Sequence, residues 1–197
     1  MVHIPQDRRA QRSAERIYEG LMACLEEKSF DQVSVSDVQR ASGVGRSTFY
    51  RLFDNLSDVL VYRCEAIFEQ ADPMLLHPKN PTAEETQLRF IALWMENEPL
   101  VRALAASGRM NYIQNAHRKY FAPQIPIYFP DSENDPEQKE FLLSIISAFV
   151  GVVMETWVRT GARENAAQLH ARLRQCGKWI GEAFREIGWE QNEDPTR

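Results

Sequence analysis

At 197 residues, 44% hydrophobic and 26% charged, the chain has the length of one large or two small domains and enough apolar material for a core, which excludes a disordered class. The net charge of -5 argues against indiscriminate coating of nucleic acid, although it leaves room for a local basic face. Residues 1–63 balance nine Lys/Arg against nine Asp/Glu, so the remainder, with 14 against 19, carries the whole deficit.

In chain order, the opening MVHIPQDRRAQRS lacks the apolar run of a signal peptide, and a cytoplasmic protein is expected. From Arg8 to Lys28, Ile17, Leu21, Cys24 and Leu25 recur at three- and four-residue spacing, which predicts an amphipathic helix. A short helix follows at Val35, Val38 and Ala41. Ser34 and Asp37 at its start have the spacing of a capping box, in which each side chain satisfies a free amide of the first turn. Gly43 stands where a left-handed residue ends a helix at little cost. A third helix is expected at about Arg46 to Phe53. Asn55 and Asp58 then open a fourth, from Leu56 to about Ala71.

Pro73, Pro78 and Pro81 punctuate a connection. Further helices are expected at Ala83 to Glu98, from Pro99 in a first turn, and from beyond Gly108 to about Phe121. Pro123, Pro126, Pro130 and Pro136 bracket an irregular loop with DSENDPE. Its acids Asp131, Glu133 and Asp135 alternate as in a calcium loop, but the central glycine and terminal glutamate are missing, so a solvated loop is expected. Two long helices, about Glu137 to Thr160 and Ala162 to Ile187, close the chain. The apolar run from Ile145 to Met154 inside the first is too short to span a bilayer. The expected fold is all-α, with about nine helices.

The chemistry concentrates at ASGVGRSTFYRLFDN. Two short helices around a tight turn, the second opening on small polar and cationic side chains, describe a helix-turn-helix. Val35, Val38, Ala41, Val44, Phe49 and Phe53 would form a small core with Ile17 and Leu21. That turns Ser36, Gly45, Arg46, Ser47, Thr48, Tyr50 and Arg51 toward a duplex. Arg46 suits guanine edges or phosphate, Thr48 a thymine methyl, and Tyr50 a phosphate oxygen. Helix N-terminal amides favour phosphate, and Arg8, Arg9, Arg12 and Arg16 would flank the groove.

The run from Arg8 to about Glu69, with FDQVSVSDVQRASGVGRSTFYRLFDNLSDVL at its centre, resembles the DNA-binding domain of the TetR/AcrR family of bacterial transcriptional regulators. Phe30, Ser34, Gly43, Thr48, Phe49, Tyr50 and Phe53 stand where that pattern wants such residues. Leu52 and Leu56 depart from it, replacing a frequent histidine and a common lysine that tend to contact phosphate, and Ser29 replaces a usual glycine. The resemblance implies a helix-turn-helix domain over 8–69 and a helical ligand-binding and dimerisation domain over 70–190. It implies a homodimeric repressor, released from a palindromic double-stranded DNA operator by a small-molecule effector. An all-helical adaptor that has lost operator binding is the alternative.

Two further residue sets serve that expectation. Trp94, Tyr112, His117, Phe121, Tyr128 and Trp157, within an aromatic-rich middle that also holds Met95, Tyr120 and Phe129, are the candidate pocket. Phe149, Val153, Leu173, Trp179, Ile180 and Phe184 are the candidate dimer face. No HExxH, GxSxG or phosphate-binding glycine loop occurs, and the four histidines (His3, His77, His117 and His170) assemble no acid, base and nucleophile. Cys24, Cys64 and Cys176 have no zinc spacing and read as free thiols. No enzyme, metal or cofactor is expected.

Overall fold

The computed structural model describes residues 2, 4, 7–70, 82–131 and 135–186. Among these, nine helices of seven residues or more and one single turn follow in order. They are α1 (Arg8–Glu27), α2 (Val35–Ser42), α3 (Arg46–Leu52), α4 (Leu56–Gln70), α5 (Ala83–Met95), α6 (Glu98–Ala106), α7 (Asn111–Phe121), the single turn α8 (Ile125–Tyr128), α9 (Pro136–Arg159) and α10 (Ala166–Glu186). The pairing of Val2 with Phe53 is an isolated β-bridge, and no strand occurs among the described residues. The all-α expectation and its helix number agree with this architecture.

Local chemistry sets most boundaries. Asp7 caps α1, its carboxylate accepting from the amides of Arg9 at 2.9 Å and Ala10 at 2.8 Å. The expected capping box forms at α2: the Ser34 hydroxyl accepts from the Asp37 amide at 3.1 Å, and the Asp37 carboxylate accepts from the Ser34 amide at 3.0 Å. Gly43 ends α2 at φ 66, the left-handed conformation that glycine adopts without steric cost. A second glycine matters for packing. A Cβ at Gly20 would stand 2.7 Å from the Ser42 Cβ, so α1 and α2 approach as closely as they do only because that atom is missing.

Other boundaries differ from expectation. The last helix begins at Ala166 rather than Ala162, because Gly161 and Ala162 both take positive φ, 101 and 52. Asn165 and Gln168 then start it, each side-chain oxygen accepting from the other's amide at 3.0 Å. Asp135 caps α9 through the amides of Glu137 and Gln138, both at 3.0 Å. The expected connection at Pro73, Pro78 and Pro81, the end of the fourth helix at Ala71, Glu133 in the acidic loop, Ile187, and His3 and His77 lie outside the described residues.

A continuous apolar core runs from Ala10 on α1 to Leu169 on α10. Its largest fully buried members include Phe49, Phe53, Phe68, Trp94 and Leu104. Burying each such side chain contributes about 1.5–3 kcal/mol relative to leaving it exposed. By length and composition α9 is sufficient to cross a bilayer, which corrects the expectation drawn from the shorter run Ile145–Met154. A helix packed in a protein core meets the same criteria, and α9 buries Leu143, Ser147, Gly151, Met154 and Trp157.

Candidate nucleic-acid interface and ligand cavity

The small core of the N-terminal unit forms in large part as its spacing predicts. Val35 is only partly buried, however, and Ala41 is exposed, because the short α2 turns Val38 inward and Ala41 falls at its outward-facing end. Ile17, Leu21, Val38, Phe49 and Phe53 are fully buried, with Val44 beside them. Burying Phe49 forces its neighbours on the seven-residue α3 outward, so Arg46, Ser47, Tyr50 and Arg51 are exposed and Thr48 is half-buried. Ser36 is exposed on α2. Gly45 has no atom within 4 Å of the place a Cβ would occupy, so its backbone is open to a close approach. The Arg46 guanidinium lies over the Tyr50 ring at 5.4 Å, and that ring meets Phe49 edge-on at 5.3 Å. The stacking pre-orients two polar ends on one outward face.

One of the arginines expected to flank the groove has another partner here, and two stand in a groove of mixed charge. Arg16 donates to the Ser42 carbonyl at 2.8 Å, fastening α1 to the end of α2. Arg8 and Arg12 line a groove against α4 that also carries Glu15, Glu65 and Glu69, so its charge is mixed. Leu52 is fully buried and Leu56 nearly so. The two departures from the family pattern have therefore turned into the core rather than toward a duplex.

Residues 17–61 match the family described as bacterial regulatory proteins, tetR family. That segment carries a TetR-family DNA-binding domain, with the helix-turn-helix of α2 and α3 inside it. Two solved structures share the fold of the chain. Lin0861 from Listeria innocua is 17% identical with TM-score 0.71, over 91% of this chain and 98% of that one. A TetR transcriptional regulator from Streptococcus agalactiae 2603V is 23% identical with TM-score 0.53, over 83% and 92%. No curated protein matches the chain.

A TetR-family head must be held by the helices that follow it, and α4 makes that connection. Phe68 stacks on Tyr120 at 5.1 Å and meets Trp94 and His117 edge-on. Lys119 pairs with Glu65 at 2.6 Å, and the Tyr120 hydroxyl donates to Glu69 at 2.8 Å. Burial and the nearby carboxylates push the Tyr120 phenol well above its ordinary range, so it remains a donor. Arg109, just before α7, pairs with Asp31 at 3.1 Å and covers the Phe30 ring at 4.0 Å. Neither Phe68 nor Arg109 stood out in the sequence, because each acts through a partner far along the chain.

Between α5, α7, α9 and α10 lies a cavity of about 350 Å³. Of the candidate pocket residues, His117, Phe121 and Tyr128 line it. Trp94 is instead fully buried against Phe68, Tyr112 packs on the core, and Trp157 donates its Nε1 hydrogen to the Glu164 carbonyl at 3.2 Å. Phe90 from α5 and Ile146, Val150 and Met154 from α9 complete the wall. The four-residue spacing of the α9 set was legible, but the helix has two apolar faces and spacing alone does not say which one is inside. Of the candidate dimer residues, Phe149, Trp179, Ile180 and Phe184 are exposed. Val153 is buried and lines the cavity with Leu173, and Phe149, though partly exposed, lines it as well.

Proposed function

We propose that the chain acts in the cytoplasm as a homodimeric repressor whose α3 reads a palindromic operator and whose cavity takes the effector that releases it. Residues 8–69 serve as the head and 70–190 as the regulatory and dimerisation domain. The observation that carries the reading is the pair of unlike outward faces. Arg46, Ser47, Tyr50 and Arg51 present a polar and cationic face on α3, whereas Phe149, Trp179, Ile180 and Phe184 present an apolar one on α9 and α10. The first suits phosphates and base edges. The second suits a matching surface on a second copy, which would set two α3 helices about 34–36 Å apart, one duplex turn.

Release follows from the same geometry. His117 lines the cavity and also packs against Phe68 on α4, so a ligand that moves that ring acts on the helix carrying the head. It must favour the conformation that does not bind DNA, or it shifts nothing.

Fluorescence anisotropy against the intergenic DNA beside the gene, with unrelated DNA as competitor, tests the reading. Arg46→Ala should weaken specific binding by about 1–3 kcal/mol and relax sequence preference, while Tyr50→Phe weakens binding more evenly across sequences. Equal losses on operator and random duplex for Arg46→Ala would remove its base-reading role.

A further inference from the structure

The cavity wall has a definite chemistry. His117 stacks on Phe121 at 5.0 Å and 28°, and Phe121 stacks on Tyr128 at 5.8 Å and 20°. The three near-parallel rings form one stack in the cavity wall, and Phe90 meets it edge-on, 5.0 Å from His117. Across from these stand the aliphatic side chains of α9. A flat ring extends such a stack with offset or edge contacts, whereas a flexible chain gains area alone.

Charge selects further. Glu84 and Arg174, which both line the cavity, pair with each other at 3.3 Å, and His170 lies 3.9 Å from the same carboxylate. An anion entering would compete with Glu84 for Arg174, and a cation would compete with Arg174 for Glu84. The apolar remainder offers neither ion compensation for lost water.

Hydrogen-bonding groups are few. The hydroxyls of Thr86 and Tyr128 are 2.5 Å apart and share one hydrogen bond, which uses the O–H of one and a lone pair of the other. His117 Nδ1 meets the Ser147 hydroxyl at 3.2 Å, which leaves Nε2 as the ring nitrogen for a ligand. Burial lowers the His117 pKa to about 4, so the ring is a neutral donor or acceptor at neutral pH.

We infer that the cavity takes an uncharged, planar aromatic compound bearing one hydroxyl or carbonyl group, its ring continuing the His117–Phe121–Tyr128 stack and its polar group meeting His117. The inference rests on the effector reading for its biological use, but the binding chemistry is testable without it. A cavity of about 350 Å³ sits at the small end of ligand pockets, which suits a compound of two or three fused rings.

The test is calorimetric titration of the full chain with one scaffold in several charge states: 2-naphthol, 2-naphthoate and 2-naphthylmethylammonium, with 1-decanol as the aliphatic counterpart. Naphthol should bind at least about tenfold more tightly than either ion or the alcohol. His117→Phe keeps a ring in the stack and removes the nitrogen, so it should weaken naphthol by about five- to tenfold and leave naphthalene unchanged. Phe121→Leu, which removes the flat wall and keeps apolar bulk, should weaken both. An ion or decanol binding as tightly as naphthol, or no binding by any of the four, overturns the inference. Release of operator DNA is read separately. Naphthol that binds without releasing DNA keeps the ligand class and defeats the effector role, whereas an ion that binds and releases does the reverse.

Discussion

The head and the helices behind it solve the problem of their surfaces differently. In α1 to α4 the large apolar side chains turn inward, and Tyr50 is the one large hydrophobic exposed among the described residues of that unit. Farther along, Phe141, Ile145, Phe149, Val152, Trp179, Ile180 and Phe184 all stand exposed, on α9 and α10. A contiguous apolar patch on a protein's surface marks a place where another surface is expected. The large apolar side chains of the head are thus nearly all enclosed, while the C-terminal helices leave several exposed, on the face proposed above to meet a second copy. The charge follows the same division, balanced over residues 1–63 and acidic beyond them.

Charging the exposed apolar face should give the largest effect. Trp179→Glu with Ile180→Glu places two carboxylates on the exposed side of α10. Sedimentation should move from dimer to monomer, and operator affinity should fall by about 100-fold or more, because the two heads no longer share one linkage. Circular dichroism should stay unchanged. A variant that still sediments as a dimer would show that this face is not the interface.

The join between the two regions responds to pH through His117. Its ordinary value is 6.5 and burial among Phe68, Phe90 and Phe121 lowers it to about 4, so the unfolded chain binds the proton more readily. The neutral ring's contribution is fully present above about pH 6.5 and is lost as pH falls toward 4. A displacement of that size corresponds to roughly 3 kcal/mol. His117→Phe has nothing to protonate at this site, so its urea midpoint should fall less than the wild type's between about pH 7.5 and 4.5. Parallel losses in the two proteins would mean that the ring is hydrated and titrates normally.

Local signals made the head legible. Ser34 and Asp37 announced their box, Gly43 its turn, and the spacing of Ile17, Leu21, Val38 and Phe49 the core they form. What escaped depended on distant partners. Arg16 has the chemistry of a phosphate contact, but the Ser42 carbonyl claims it, and nothing near Gly20 in sequence reveals that Ser42 packs against it. Among the pocket residues, His117, Phe121 and Tyr128 share one side of the α7–α8 segment. Trp94 has the same composition signal but turns to Phe68 instead. On α9, with apolar side chains all round, Val153 and Phe149 are four residues apart yet differ in exposure, and periodicity does not distinguish them.

The smallest expected effect lies within the head, at Asp37. Its carboxylate accepts from the Ser34 hydroxyl at 2.7 Å and the Ser34 amide at 3.0 Å, and Lys28 stands 3.1 Å away. The Ser34 hydrogen bonds, then Lys28, hold this carboxyl well below the usual range. Because the folded value is depressed, the contribution is fully present above the ordinary carboxylate pKa of about 3.9, declines below it, and is gone only once pH falls through the depressed folded value. Asp37→Asn keeps an acceptor oxygen and loses the charge, so its Tm should lie slightly below the wild type's from about pH 8 to 5, and the gap should close under acid conditions. The site is open to solvent, so salt should narrow the gap at neutral pH as well. The pair of dependences separates the box from the His117 join: salt weakens the first and leaves the second, since a buried ring that carries no charge in the folded state has little for ions to screen. A gap at neutral pH that added salt leaves unchanged would assign the loss to the geometry of the amide rather than to the charge.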